Sequence, residues 1–175
     1  MILNLFRKST ASDAVYAVYR AIVAQSRQPV FYADWGVPDT VTGRFDMISL
    51  HMSLVFRRLR AEKQAGAEFS QALFDLFFKD MDRSLREMGA GDLSVPKKVR
   101  KMTELFYALM TGINEAIDRG DHAGVAAVLR RNVLADADAS HADRIAAYLF
   151  AQADSLAPQS LESIAAGRIE MAVAA

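Results

Sequence analysis

Gly43-Arg44-Phe45-Asp46-Met47-Ile48-Ser49-Leu50-His51-Met52-Ser53-Leu54-Val55-Phe56-Arg57-Arg58-Leu59-Arg60 is the stretch that decides how this chain folds. Polar residues recur at 46, 49, 53, 57 and 60, the step of an α-helix, and most residues between them are apolar. A helix with so narrow a polar strip belongs at the centre of a domain, with other helices on most of its sides. The strip itself is expected to face water. The spacing predicts a helix over residues 43–65, with Arg57, Arg58, Arg60 and Lys63 in its later turns, where positive charge suits the helix dipole.

Outward from this helix the periodicity stays helical. Upstream, Val15, Val18, Tyr19 and Ile22 mark a helix over residues 13–27, with Thr10 or Ser12 as its cap. Between the two lies a segment, residues 28–40, in which Pro29, Pro38 and Gly36 break any helix. It is a loop rich in rings, and Phe31, Tyr32 and Trp35 are expected to pin it to the core. Downstream, a helix is predicted over residues 68–88, ending at Gly89. It carries Phe69, Phe74, Phe77 and Phe78, more than one buried stripe needs, so one or two should line a groove. The next helix covers residues 94–118, with Ser94 as cap and Pro96 in its first turn. Beyond Gly120 the chain turns alanine-rich, with helices over residues 122–134, 140–156 and 161–171, and residues 171–175 are expected to fray. The fold class is all-α: a compact bundle of about six to seven helices with a non-helical aromatic loop after the first. A single domain, residues 1–175, fits the length.

Composition excludes several kinds of function. The chain has 52% hydrophobic and 24% charged residues, ordinary for a globular protein. It has no cysteine, so disulfides, thiolate metal sites and cysteine nucleophiles are absent. Net charge is zero, which gives no global attraction for DNA. His51, His122 and His141 stand at no metal-motif spacing, and neither a phosphate-binding loop nor a nucleophile elbow is present. No metal, no cofactor and no catalytic residue is expected. His51 reads as a hydrogen-bonded core histidine, and Met47, His51 and Met52 give only a weak hint of haem ligation. The start, Met1 to Lys8, places apolar residues before basic ones, the reverse of a signal peptide, and is expected to pack on the domain. One charge pattern stands out. Lys97, Lys98, Arg100 and Lys101 crowd the first turns of their helix, against its dipole, with Glu104 as the carboxylate placed to compensate. They form a candidate docking patch for an acidic partner, phospholipid headgroups or RNA phosphates.

Three blocks in order carry a resemblance. Val37-Pro38-Asp39-Thr40-Val41-Thr42-Gly43-Arg44-Phe45-Asp46-Met47-Ile48-Ser49-Leu50-His51, led by Phe31-Tyr32, resembles the opening signature of the ubiquinol–cytochrome c chaperone family. Residues 74–89 resemble its second block and residues 91–102 its third, while Arg131-Asn132-Val133 matches a short later element. The family-like core is thus residues 31–133, with residues 134–175 as a C-terminal helical extension. After Phe106-Tyr107 the family's Gly-Arg element is replaced by Ala108-Leu109-Met110-Thr111-Gly112, which marks a divergent member.

The resemblance implies a helical, non-enzymatic assembly factor for the respiratory cytochrome bc1 complex. Its partners would be cytochrome b or another bc1 subunit, the ribosome near the tunnel exit, and an anionic membrane surface. The absence of an organelle presequence points to a bacterial member, cytoplasmic and peripheral on the inner membrane. Client contact is expected from Phe31, Tyr32, Trp35, Phe45 and His51. A helical carrier of lipid or another small hydrophobic ligand is the alternative that the same features allow.

Overall fold

Helices follow one another along the chain: α1 (Ile2–Ser26), α2 (Pro29–Ala33), α3 (Val41–Leu59), a 3-10 turn (Arg60–Glu62), α4 (Lys63–Glu87), α5 (Val95–Asp118), α6 (His122–Asn132), α7 (Ala139–Leu156) and α8 (Leu161–Ala165). The computed structural model describes the backbone of residues 2–134 and 139–174, and the side chains of residues 13–134 and 140–174. No strand occurs among the described residues.

The central helix is α3, which packs against α1, α4, α5 and α7. Every side chain from Phe45 to Val55 is buried. That includes Asp46, Ser49 and Ser53, so the strip expected to face water faces protein instead. The serines manage this by bonding to their own helix. Ser49 Oγ donates to the Phe45 carbonyl at 2.8 Å and Ser53 Oγ to that of Leu50 at 2.7 Å. A small side chain satisfied by its own backbone can sit in a core at little cost. Only the end of the strip reaches the surface, where Arg57 and Arg60 grip Asp118 at 2.8 and 3.0 Å and tie the ends of α3 and α5 together.

Other boundaries also depart from expectation. Helix α3 stops at Leu59, because the 3-10 turn and Lys63, with φ of 50°, redirect the chain, so α4 begins at Lys63. Pro29 does not break a helix but opens one: its missing N–H is an orphan donor at a first turn anyway, and α2 follows directly. Ser94 does not cap α5; its hydroxyl donates to the Gly91 carbonyl at 2.8 Å. Helix α1 starts at Ile2, so Thr10 and Ser12 lie within it rather than before it. Their side chains, and the packing of the apolar start, lie outside the described residues.

The C-terminal tail is the largest departure. Helix α8 stops at Ala165 rather than at 171, and the chain after it, including residues expected to fray, is clamped by glutamines. Gln152 Oε1 accepts the Ala172 N–H at 2.7 Å, and Gln25 Nε2 donates to the Ala172 carbonyl at 2.8 Å. Gln159 holds Glu170 in the same way, donating to its carbonyl at 2.7 Å and accepting its N–H at 2.9 Å. A side-chain amide offers one donor and one acceptor in one plane, as a neighbouring strand does, so an extended tail can be held without a sheet. One hydrophobic cluster runs through all of this, from Val18 and Leu50 through Phe77 and Phe106 to Leu129 and Leu149, without a break at Gly120.

Candidate functional site

The segment that opens the family-like region serves the backbone first. Thr40 caps α3 by accepting the Gly43 N–H at 3.1 Å, and Asp39 pairs with Arg44 at 2.7 Å across the same turn. That guanidinium holds the Asp39 carboxyl below the usual range. Gly43 has no room for a side chain: a Cβ there would fall 2.0 Å from the Pro38 carbonyl oxygen. Gly36 is doubly constrained. Its φ is +70°, and a Cβ would meet the His141 ring at 2.4 Å, so the loop closes directly onto α7.

The rings of the loop do reach the core. Phe31 and Trp35 meet edge to face at 5.2 Å between centroids, and both pack on Tyr148 of α7, at 5.2 and 5.6 Å. His51 completes the group, 5.7 Å from Phe31. A directed chain of hydrogen bonds runs through it. A carbonyl can only accept, so the 2.7 Å contact with Met47 O assigns the proton to His51 Nδ1. His51 Nε2 must then accept, and Tyr148 Oη donates to it at 2.8 Å. Gln25 Nε2 in turn donates to Tyr148 Oη at 2.8 Å, and Gln28 Nε2 donates to Gln25 Oε1 at 2.9 Å. Ser26 Oγ lies 3.0 Å from His51 Nδ1 and gives its own proton to Ile22 O. Burial lowers the His51 pKa to about 4 and pushes the Tyr148 hydroxyl up to about 12, so the neutral forms that the chain needs are the ones present near pH 7.

Within this arrangement the five residues of the expected client-contact set fall in different surroundings. Phe31, Trp35, Phe45 and His51 are buried, because each closes the core around α3, and none has a face to offer another molecule in this conformation. Phe45 is not even in the loop group: it stacks on Phe77 of α4, with 11° between ring planes. Tyr32 alone of the five is partly exposed. Its hydroxyl donates to Ser26 O at 2.7 Å, and its ring lines a surface groove with Arg27, Asp39 and Arg44. Both nitrogens of His51 are engaged, so it is not placed to act as a base or a ligand. No group of three or more metal-ligating side chains occurs among the described residues.

Two features do lie at the surface. Lys97, Lys98, Arg100 and Lys101 are all exposed on the first turns of α5. The other is a groove between α1 and α4, in two adjoining parts of about 460 and 500 Å³ that share Tyr16, Leu76 and Lys79. Its apolar wall comes from Val15, Tyr16, Val23, Phe69, Ala72 and Leu76, and Phe69 is thus the α4 phenylalanine that lines a groove. Arg20, Arg27 and Lys79 rim it and make no salt bridge among the described residues, whereas Asp80 is engaged by the Tyr19 hydroxyl at 2.9 Å and by Arg83. Sequence reading had missed this surface. The signal available was on α1, where Tyr16, Arg20 and Arg27 share the face that carries no core residue.

A central helix locked by a Thr40 cap, a Gly43 contact and an aromatic loop is the part of the fold that the opening signature builds. Residues 33–172 match the family model described as ubiquinol-cytochrome C chaperone. This chain belongs to that family. Over nearly its whole length it is similar to a solved structure, the crystal structure of the Cbp3 homolog from Brucella abortus, with 42% identity, a TM-score of 0.88, and 99% of this chain and 98% of the other covered. It is also 28% identical to the ubiquinol-cytochrome-c reductase complex assembly factor 1 of Xenopus laevis, over 74% of this chain and 64% of that protein. The assembly factor 1 of Mus musculus is 28% identical over 67% of this chain and 40% of its own length. The chain therefore spans between two fifths and two thirds of these animal relatives. No described helix is long and apolar enough to cross a membrane.

Proposed function

We propose that this chain is an assembly chaperone for the respiratory cytochrome bc1 complex, acting by binding rather than by catalysis. In this reading it holds an apolar segment of newly made cytochrome b at the cytoplasmic face of a bacterial inner membrane. The observation that carries it is the match of residues 33–172 to the ubiquinol-cytochrome C chaperone model, beside the likeness to the ubiquinol-cytochrome-c reductase complex assembly factor 1. The α1–α4 groove supports it as the client surface. It runs along α1 from Val15 to Arg27, about 18 Å at 1.5 Å per residue, which fits about three turns of a helix. Its apolar wall suits such a helix, and its unpaired cations suit carboxylates at one end of it. The buried loop rings then act as support beneath α1 and α3. Tyr32, at the neighbouring groove, extends the client surface, and Lys97, Lys98, Arg100 and Lys101 form the docking patch.

The test is a strain lacking the gene, with assembled complex read from reduced-minus-oxidised haem b and c1 spectra of its membranes. Both signals should fall. Wild type should restore them, whereas Leu76→Glu, with an unchanged melting temperature, should not. Normal spectra in the deletion strain would remove the proposal and bring the lipid-carrier alternative forward. Full rescue by Leu76→Glu would move the client away from the groove.

A further inference from the structure

Two large apolar side chains, Met88 and Leu93, stand exposed where α4 hands over to α5, and Leu105 stands exposed farther along α5. Leu93 is 91% exposed, Met88 54% and Leu105 41%. The four exposed cations, Lys97, Lys98, Arg100 and Lys101, follow directly. At 100° per residue, Lys97, Lys98, Lys101 and Leu105 share an arc of about 100° on α5. Lys97 and Lys98 make no salt bridge among the described residues, and Arg100 and Lys101 share the one carboxylate of Glu104, at 3.3 and 3.9 Å. The acidic groups of the corner are already taken: Arg86 holds Asp82 at 2.7 Å and also engages Asp92. Neither the cations nor the apolar tip serves the fold. The cations oppose the helix dipole, and Leu93 packs on nothing.

We propose that this corner docks on a bilayer surface rich in anionic phospholipid, with Leu93 and Met88 entering the headgroup layer and the four cations forming a collar around them. The inference rests on the chaperone reading only for its purpose, where it supplies the partner of the docking patch. Lipid is favoured over an RNA backbone because phosphates in a strand would use the collar but leave the apolar tip without a role.

The full chain, mixed with vesicles of phosphatidylcholine with and without phosphatidylglycerol, tests this by co-sedimentation. Binding should require phosphatidylglycerol and weaken with salt. Each cation removed should cost about fivefold, so replacing Lys97, Lys98, Arg100 and Lys101 by Gln should lower partitioning by at least ~100-fold. Leu93→Ser should cost about tenfold and leave the salt dependence unchanged. These side chains are exposed, so both variants should melt with the wild type. Wild type that shows no preference for phosphatidylglycerol overturns the proposal. So does a Leu93→Ser variant that binds like wild type while the Gln variant fails, since the cations alone would then account for binding and the apolar tip would not enter the headgroup layer. The vesicle assay contains no bc1 subunit. A negative result there leaves the assembly phenotype standing, and a normal deletion strain leaves the vesicle result standing.

Discussion

Two aromatic regions flank α3, and different forces hold them. On one side Phe45, Phe74, Phe77, Phe78 and Phe106 join α3, α4 and α5, with Phe74 and Phe78 centroids 4.6 Å apart and Phe78 nearly perpendicular to Phe106. Nothing in this group needs a hydrogen bond; volume and ring geometry decide the packing. On the other side Phe31, Trp35, His51 and Tyr148 join α2, the loop after it, α3 and α7, and a chain of polar contacts threads the rings. Residues 45, 52 and 56 fall on one stripe of α3, and residues 47 and 51 on nearly the opposite one. The first region tolerates change if volume is kept. In the second, each member must keep both its position and its proton.

This contrast sets the size and kind of response to mutation. Phe106→Ala in the dry region should cost the most, about 3–5 kcal/mol, read from urea unfolding, since it empties a fully buried site touched by five other rings. A cost below ~1 kcal/mol would mean that this region is not tightly packed. Next comes a pH effect confined to the wet region. The His51 pKa is depressed in the fold, so its contribution is complete above about 6.5 and is lost as pH falls toward about 4, where the unfolded chain binds a proton that the folded one refuses. The loss is about 3 kcal/mol at the ordinary scale of one pKa unit. Asp46, whose carboxyl burial pushes up to about 7, slopes the other way over the same range. The measurement is therefore the difference between wild type and His51→Gln from pH 7 to pH 4; parallel curves would show His51 to be accessible to solvent. Smallest of the three is Tyr148→Phe, about 1–3 kcal/mol, because it leaves His51 Nε2 and one Gln25 proton without partners while the ring packing survives. Pairing it with Gln25→Leu should recover part of that cost, whereas simple additivity would mean that the two bonds are independent.

The same contrast explains which parts of the molecule were legible. Phe74, Phe77 and Phe78 of α4 recur at helical spacing, so their turn toward the core follows from pattern alone. The basic run Lys97, Lys98, Arg100 and Lys101 was visible as a charge run against a dipole, and the family blocks as ordered motifs. The polar relay was not visible, because Gln25, His51, Tyr148 and Ala172 are distant in the chain and unremarkable one by one. His51 could be read as a core histidine without any sign of which partners it has. The α1–α4 groove was equally hidden. It exists only because two helices leave a channel between them, and a residue such as Tyr16 reads as surface until the second wall is in place.

By itself the sequence determined an all-α fold, the central position of α3, a break between α1 and α3, and the family, since periodicity, proline and glycine placement and ordered motifs are local properties of a chain. Tertiary structure alone decided that the polar strip of α3 is buried, that the tail is clamped, and that four of the five expected contact residues are buried. Those outcomes depend on which distant backbone carbonyls, amides and rings arrive beside a side chain, and a polar group accepts burial only where such partners are already in place.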